Sequence, residues 1–105
     1  MKLNEHQAKV GQQLRALSQR LLIQARNGGW SAVQALDVTL AATARRLAKD
    51  PELWQALEPV RQIIRAEHAE ARELCRIEME RSLKVWQAMR GQSEGLRAYE
   101  EVAGI

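Results

Sequence analysis

Residues 59–90, PVRQIIRAEHAEARELCRIEMERSLKVWQAMR, form the longest run of the chain without an internal glycine or proline. A helix over this run would be about 48 Å long, because each helical residue rises about 1.5 Å. Such a helix needs packing partners, and the segments before it are short enough to pack against it. At about 100° per residue, one apolar set falls within a band about 120° wide, which predicts a buried face. That set is Val60, Ile63, Ile64, Ala71, Leu74, Cys75, Val85 and Met89.

A second apolar set of the same run lies outside this band or on its edge. It comprises Ile77, Met79, Leu83 and Trp86. A helix with more apolar surface than its core stripe either receives cover from its own chain or offers a surface to a partner. This surplus is the main functional signal in the sequence.

Capping and breaking residues divide the rest of the chain into shorter helices. Asn4 and Ser31 are candidate N-caps, and the glycines at 28 and 29 end the first helix. Asp50 followed by Pro51 predicts a cap with proline at the first helical position. The predicted elements are helices over about 5–26, 32–49, 59–90 and 94–102, with a short helical turn over 51–56.

The last predicted helix follows a connection at Gly91, Gln92 and Ser93. It is too short to persist alone in water, so it is ordered only by what it packs against. We expect it to act as a movable cover over Ile77, Leu83 and Trp86 of the long helix. The cover side chains would be Leu96, Tyr99 and Val102, with Ala98 beside them.

These elements predict an all-α protein, an antiparallel helical bundle of three main helices with a long third helix and a short C-terminal helix. The chain has 105 residues and a mass of 11.9 kDa, which suits a single domain over 1–105. A domain of this size buries roughly two thirds of its unfolded surface without disulfides or metal.

The sequence favours a cytoplasmic location. Cys75 is the only cysteine and lies in the apolar stripe, so we expect a buried, reduced thiol. Residues 1–10 are polar and do not resemble a signal peptide. No apolar run approaches the ~20 residues of a membrane span.

Charge is unevenly spread along the chain, whose net charge is +3. Residues 1–50 carry 8 basic and 3 acidic side chains, whereas residues 51–105 carry 8 basic and 10 acidic ones. A basic half can attract nucleic acid, which leaves a small DNA-associated or transcription-regulatory helical protein as the alternative function. The basic residues are spaced along helices without interleaved aromatics, so a solvated face is the favoured interpretation and nucleic-acid binding is not expected.

The residue types do not predict an enzyme, a metal site or a cofactor. The chain has 2 histidines, and neither follows a glutamate by three residues, as a carboxylate-bridged metal bundle requires. Glu67 and His68 are neighbours but lack a facing ligand set, so a solvated acidic face is expected. Cys75 has no histidine near it in sequence, and no glycine-rich loop follows a strand.

Three acidic residues interrupt the apolar stripes, namely Asp37, Glu67 and Glu78. They either reach solvent or pair with arginines, or they mark a side on which the bundle is open, because an unpaired charge is not stable in a dry core. In the second case Glu78 would set the register of a bound segment. The candidate arginine partners are Arg15, Arg20, Arg76 and Arg81.

The order and spacing of apolar residues from about Leu14 to Tyr99 resemble the FliT-type flagellar export chaperones. The linker over 48–54 and the tail after Tyr99 depart from that pattern. The resemblance is carried by Trp30 after a short break, the helix from Ala35 to Leu47, Leu57, Pro59, Ile63, Ile64, Glu67, Leu74, Met79, Leu83, Leu96, Ala98 and Tyr99.

The resemblance implies a cytoplasmic chaperone of the flagellar type III export system that binds the filament-cap protein and prevents its early assembly. Members of that family are also linked to the export ATPase complex and to the flagellar master regulator. Their last helix is regarded as a movable cover over the binding surface. The sequence leaves both a monomer and a weak homodimer open. The candidate partner-binding residues are Ile77, Glu78, Met79, Leu83 and Trp86.

Overall fold

A computed structural model of the protein describes the backbone of residues 3–103 and the side chains of residues 3–90. Over the described backbone the chain forms four α-helices and no strand, so the all-α prediction is confirmed. The helices are α1 (Glu5–Arg26), α2 (Trp30–Leu47), α3 (Pro51–Ala56) and α4 (Glu58–Ala103). The chain divides into two compact units, residues 1–75 and 76–105, where the sequence predicted one domain.

The start of α1 is fixed by a capping box, as predicted from Asn4. The Asn4 side chain accepts a hydrogen bond from the Gln7 backbone N–H at 2.7 Å, and the Gln7 side chain accepts one from the Asn4 N–H at 3.1 Å. Two of the otherwise unpaired N–H groups at the helix end are thereby satisfied. At the other end Gly28 adopts a φ of 74°, a left-handed conformation that costs glycine little.

The start of α2 differs from the prediction, because the helix begins at Trp30 and its N-cap is Gly29. The Gly29 cap makes no side-chain hydrogen bond, so Ser31 is not the cap. The tight turn at Gly28 brings the chain directly into the next helix, since the Trp30 N–H already bonds to the Gly28 carbonyl at 3.0 Å. The predicted cap of α3 is confirmed, since the Asp50 side chain accepts from the Leu53 N–H at 3.2 Å.

The long helix is longer than predicted. α4 continues without interruption for 46 residues, so the expected connection at 91–93 and the separate helix over 94–102 are wrong at the level of the backbone. A glycine inside a helix costs only about 1 kcal/mol relative to alanine, and without a proline this is insufficient to end a long helix. The side chains of Leu96, Tyr99 and Val102 lie outside the described residues.

The hydrophobic core belongs to the first unit and draws on all four helices. Leu57, in the short joint between α3 and α4, is fully buried at 0% exposure. Gly11 of α1 lies beside this joint, where an added Cβ would stand 3.4 Å from both Leu57 and Val60. The buried apolar residues are Val10, Leu14, Leu21, Leu22, Ala25, Leu40, Leu47, Leu53, Leu57 and Ala71.

Three residues that the sequence placed in the buried stripe of the long helix are exposed. Ile63 is 40% exposed, because it lies at the edge of the band whose centre Val60 and Ala71 occupy. Val85 and Met89 are 55% and 62% exposed. At about 1.5 Å per residue, α1 and α2 measure about 33 and 27 Å against about 69 Å for α4, so they are too short to cover its whole length.

Candidate functional site

The second unit presents exposed apolar side chains on one stretch of α4. Every described side chain from Arg81 to Arg90 is exposed, including those of the large apolar residues. Monomeric proteins rarely expose so many large apolar groups close together, and such clusters mark interaction sites. The exposed fractions are Ile77 48%, Met79 67%, Leu83 53%, Val85 55%, Trp86 56% and Met89 62%.

These side chains occupy more than one face of α4. Met79, Leu83 and Trp86 follow one another by four and three residues, so they share one face. Val85 and Met89 are four residues apart and form a second face, which the sequence analysis had assigned to the core. The predicted partner-binding residues are therefore all on the exposed stretch, and the sequence missed two further members of it.

Short ion pairs along the same helix surround the apolar groups. Glu78 pairs with Arg81 at 3.2 Å, and Arg76 pairs with Glu80 at 2.7 Å. The Arg90 guanidinium lies 5.4 Å from the centre of the Trp86 ring, within the range of a cation–π contact. Exposed pairs of this kind add little stability. Glu78 thus has the arginine partner expected of a solvated carboxylate.

The two other acidic residues of the apolar stripes are paired within the first unit, although not with arginine. Glu67 accepts a hydrogen bond from the Ser18 hydroxyl at 3.2 Å, and Asp37 lies 3.0 Å from Nε2 of His68. Arg15, an expected partner, instead has a buried Nε without a hydrogen-bond partner among the described residues. The partners of Glu67 and Asp37 depend on contacts between helices, which sequence spacing does not specify.

A pocket of about 170 Å³ lies in the first unit and is mostly apolar. Arg61 forms part of its wall, held 4.4 Å above the Trp54 ring and donating to the Trp54 carbonyl at 3.1 Å. The arginine also pairs with Glu58 at 2.5 Å. The site therefore already holds an internally paired guanidinium. Its lining residues are Leu14, Leu40, Ala44, Trp54, Arg61, Ile64 and Arg65.

The described residues bring together no cluster of three or more histidine, cysteine, aspartate or glutamate side chains that could hold a metal ion. Cys75 is a free thiol and is half-buried, where the sequence predicted a buried one. Within the described part of the chain, no helix combines the length and the apolar character that crossing a membrane requires.

Among the described side chains, the candidate binding surface is thus the exposed apolar stretch of α4 between Ile77 and Met89. We call this stretch the α4 patch. Comparison with known proteins adds no family assignment to this geometry. The chain matches no protein-family model, no curated protein and no solved structure.

Proposed function

We propose that the protein is a cytoplasmic chaperone of flagellar type III export that holds an apolar helical segment of the filament-cap protein on the α4 patch. The supporting observation is the exposure of six large apolar side chains between Ile77 and Met89, each 48–67% exposed. The chaperone class and the identity of the client come from the resemblance to FliT-type proteins. The proposal includes contacts with the export ATPase complex and the flagellar master regulator.

The α4 patch has the chemistry of helix-in-groove recognition. An amphipathic client helix would place its apolar anchors against Met79, Leu83 and Trp86. Full burial of one such side chain contributes about 1.5–3 kcal/mol, so covering the half-exposed groups would contribute several kcal/mol before the cost of association. Methionine suits such a surface because its unbranched side chain adapts to different partners.

The proposal also includes the finer architecture that the sequence predicted. In it, α1, α2 and the first part of α4 form an antiparallel three-helix bundle. The C-terminal segment with Leu96, Tyr99 and Val102 shields the α4 patch in the absence of a client, which requires α4 to break near Gly91, because in the structure this segment continues the same helix. Client binding then competes with this cover, which selects for segments that bind more tightly than the cover does.

The alternative of a DNA-associated protein has less support. Arg26, one of the basic residues of the N-terminal half, pairs with Glu70 of α4 at 2.7 Å. The Glu70 carboxylate of the long helix therefore neutralises one of the basic groups that would contact phosphates. Fluorescence anisotropy with a labelled DNA duplex tests this alternative, and tight binding with a steep salt dependence would favour it over the chaperone.

Isothermal titration calorimetry with purified filament-cap protein tests the proposal. We expect the native chain to bind and Met79→Asp with Leu83→Asp to bind at least tenfold more weakly, because each carboxylate would have to be desolvated. Val38→Asp is the matched control, since Val38 is 65% exposed in the first unit. Absence of binding by the native chain, or equal weakening by the control, would refute the proposed function.

A further inference from the structure

The apolar pocket of the first unit is lined by side chains from all four helices. Its apolar lining residues are Leu14 of α1, Leu40 and Ala44 of α2, Trp54 of α3 and Ile64 of α4. The volume of the pocket is about 170 Å³. An apolar protein cavity of about 150 Å³ holds one benzene molecule. The pocket therefore has room for one apolar group of the size of a single ring.

The charged side chains of the pocket wall are both arginines. Arg61 and Arg65 lie one turn apart on α4, so they project from the same face of the helix. None of the described lining residues is acidic. Both guanidiniums pair with Glu58, whose Oε2 lies 2.5 Å from Arg61 and whose Oε1 lies 3.5 Å from Arg65. Two positive charges thus share one negative charge, which leaves this group of three side chains with a net charge of +1.

The two arginines are held differently. Arg61 contacts both the ring and the carbonyl of Trp54 as well as Glu58, and its side chain is only 18% exposed. It is therefore a fixed part of the wall. Arg65 is 60% exposed, and its contact with Glu58 is long for a hydrogen bond. An exposed pair of this geometry contributes little stability, so Arg65 can turn towards a ligand at small cost.

We propose that this pocket binds a small carboxylic acid whose apolar part has the size of one ring. The apolar part would lie against Leu14, Leu40 and Trp54, and the carboxylate would pair with Arg65. A guanidinium suits this role because its planar donors match the two oxygens of a carboxylate. The single spare positive charge favours a monoanion over a phosphate dianion. The pocket shares no residue with the α4 patch, so the proposal does not depend on the proposed function.

Nitrogen–proton correlation NMR of the full chain with phenylacetate tests the proposal. Phenylacetate joins one ring to one carboxylate, and for a ligand of about ten non-hydrogen atoms we expect a dissociation constant of about 1 mM. The indole N–H of Trp54 and the amides of Leu40 and Ala44 should shift saturably. Absence of saturable shifts at these groups up to about 20 mM would overturn the proposal and leave the client test unaffected.

The role of the charge is tested with an ester and with an arginine variant. Methyl phenylacetate, which has no charge, should bind about fivefold more weakly than phenylacetate, and Arg65→Gln should lose about the same factor for phenylacetate alone. Arg72→Gln is the matched control, since Arg72 is exposed two turns further along α4 and does not line the pocket. Equal affinity of acid and ester, or equal weakening by the two variants, would overturn the proposal.

The location of the ligand is tested by filling the pocket. Ala44→Leu adds three carbon atoms to the wall and should weaken phenylacetate binding at least about tenfold, whereas Ala42→Leu, at an exposed position of α2, should bind normally. In the native chain, nuclear Overhauser contacts should join the phenylacetate ring to the methyl groups of Leu14 and Leu40. Absence of these contacts would overturn the proposal. Binding of toluene without binding of phenylacetate would also overturn it and would indicate an apolar side chain of a partner protein as the occupant.

Discussion

The hydroxyl of Ser18 donates a hydrogen bond to the Glu67 carboxylate at 3.2 Å, and Ser18 is only 2% exposed. This contact links α1 to α4 over 49 residues of sequence and provides the half-buried carboxylate with a partner. A buried polar group that loses its partner retains its desolvation penalty. Loss of this bond would therefore cost more free energy, through the unpaired Glu67 carboxylate, than the bond itself contributes.

Replacing Ser18 by alanine should lower the free energy of unfolding by about 1–3 kcal/mol, because Glu67 would lose its donor. The measurement is urea unfolding followed by circular dichroism at 222 nm. Ser31→Ala is the control, since Ser31 is exposed and does not cap α2, and it should be nearly neutral. Equal effects of the two variants would contradict the structural role of the Ser18 hydroxyl.

The glycines at 28 and 11 should respond oppositely to alanine. Gly28→Ala should destabilise the protein by about 1 kcal/mol, because the φ of 74° is unfavourable for a residue with a Cβ. Gly11→Ala should be neutral or stabilise by up to about 1 kcal/mol, since α1 gains helix propensity. The new Cβ would meet Leu57 and Val60 at an ordinary contact distance of 3.4 Å. Thermal unfolding of both variants checks the difference in sign.

Removal of residues from Ser93 onward should raise the affinity of the α4 patch for an apolar helical client and promote aggregation. The physical reason is that the truncated chain lacks the segment proposed to shield the patch. The measurement is calorimetric titration with the client, together with light scattering of the free chain. Unchanged affinity after truncation would count against a cover function of Leu96, Tyr99 and Val102.

Replacing Glu78 by leucine distinguishes a solvated carboxylate from one that sets the register of a bound segment. Because Glu78 already pairs with Arg81 at 3.2 Å on an exposed helix, stability should change by less than about 1 kcal/mol. Weaker client binding by this variant, measured by titration, would support a register role. Retained binding with a large gain in stability would argue against an open polar groove.

Local rules predicted the helix starts that depend on neighbouring residues. Asn4 and the pair Asp50 and Pro51 were identified correctly because each cap involves atoms only three residues apart. The same rules failed at Ser31, where the turn at Gly28 determines the start of the helix. Patterns of capping residues thus indicate that a helix begins nearby, while the adjoining turn determines the residue at which it begins.

The apolar stripe of the long helix predicted the core correctly at Ala71 and wrongly at Val85 and Met89. Periodicity reports which face of a helix is apolar, but it does not report whether another element is long enough to cover that face. The four apolar residues assigned to partner binding are exposed because the same excess of apolar surface has no cover within the first unit. The length of α4 depended on whether Gly91 ends the helix, which the spacing of apolar residues does not decide.

Because α4 extends through both units, its two parts should unfold in different ways. Among residues 3–90, whose side chains the structure describes, all buried core residues lie between Val10 and Ala71, so melting of residues 76–90 removes none of them from the interior. Backbone amides in that stretch should therefore exchange with deuterium through local fraying of the free chain. Amides from Glu58 to Cys75 should exchange only when the whole first unit unfolds, which would divide one helix into two kinetic classes.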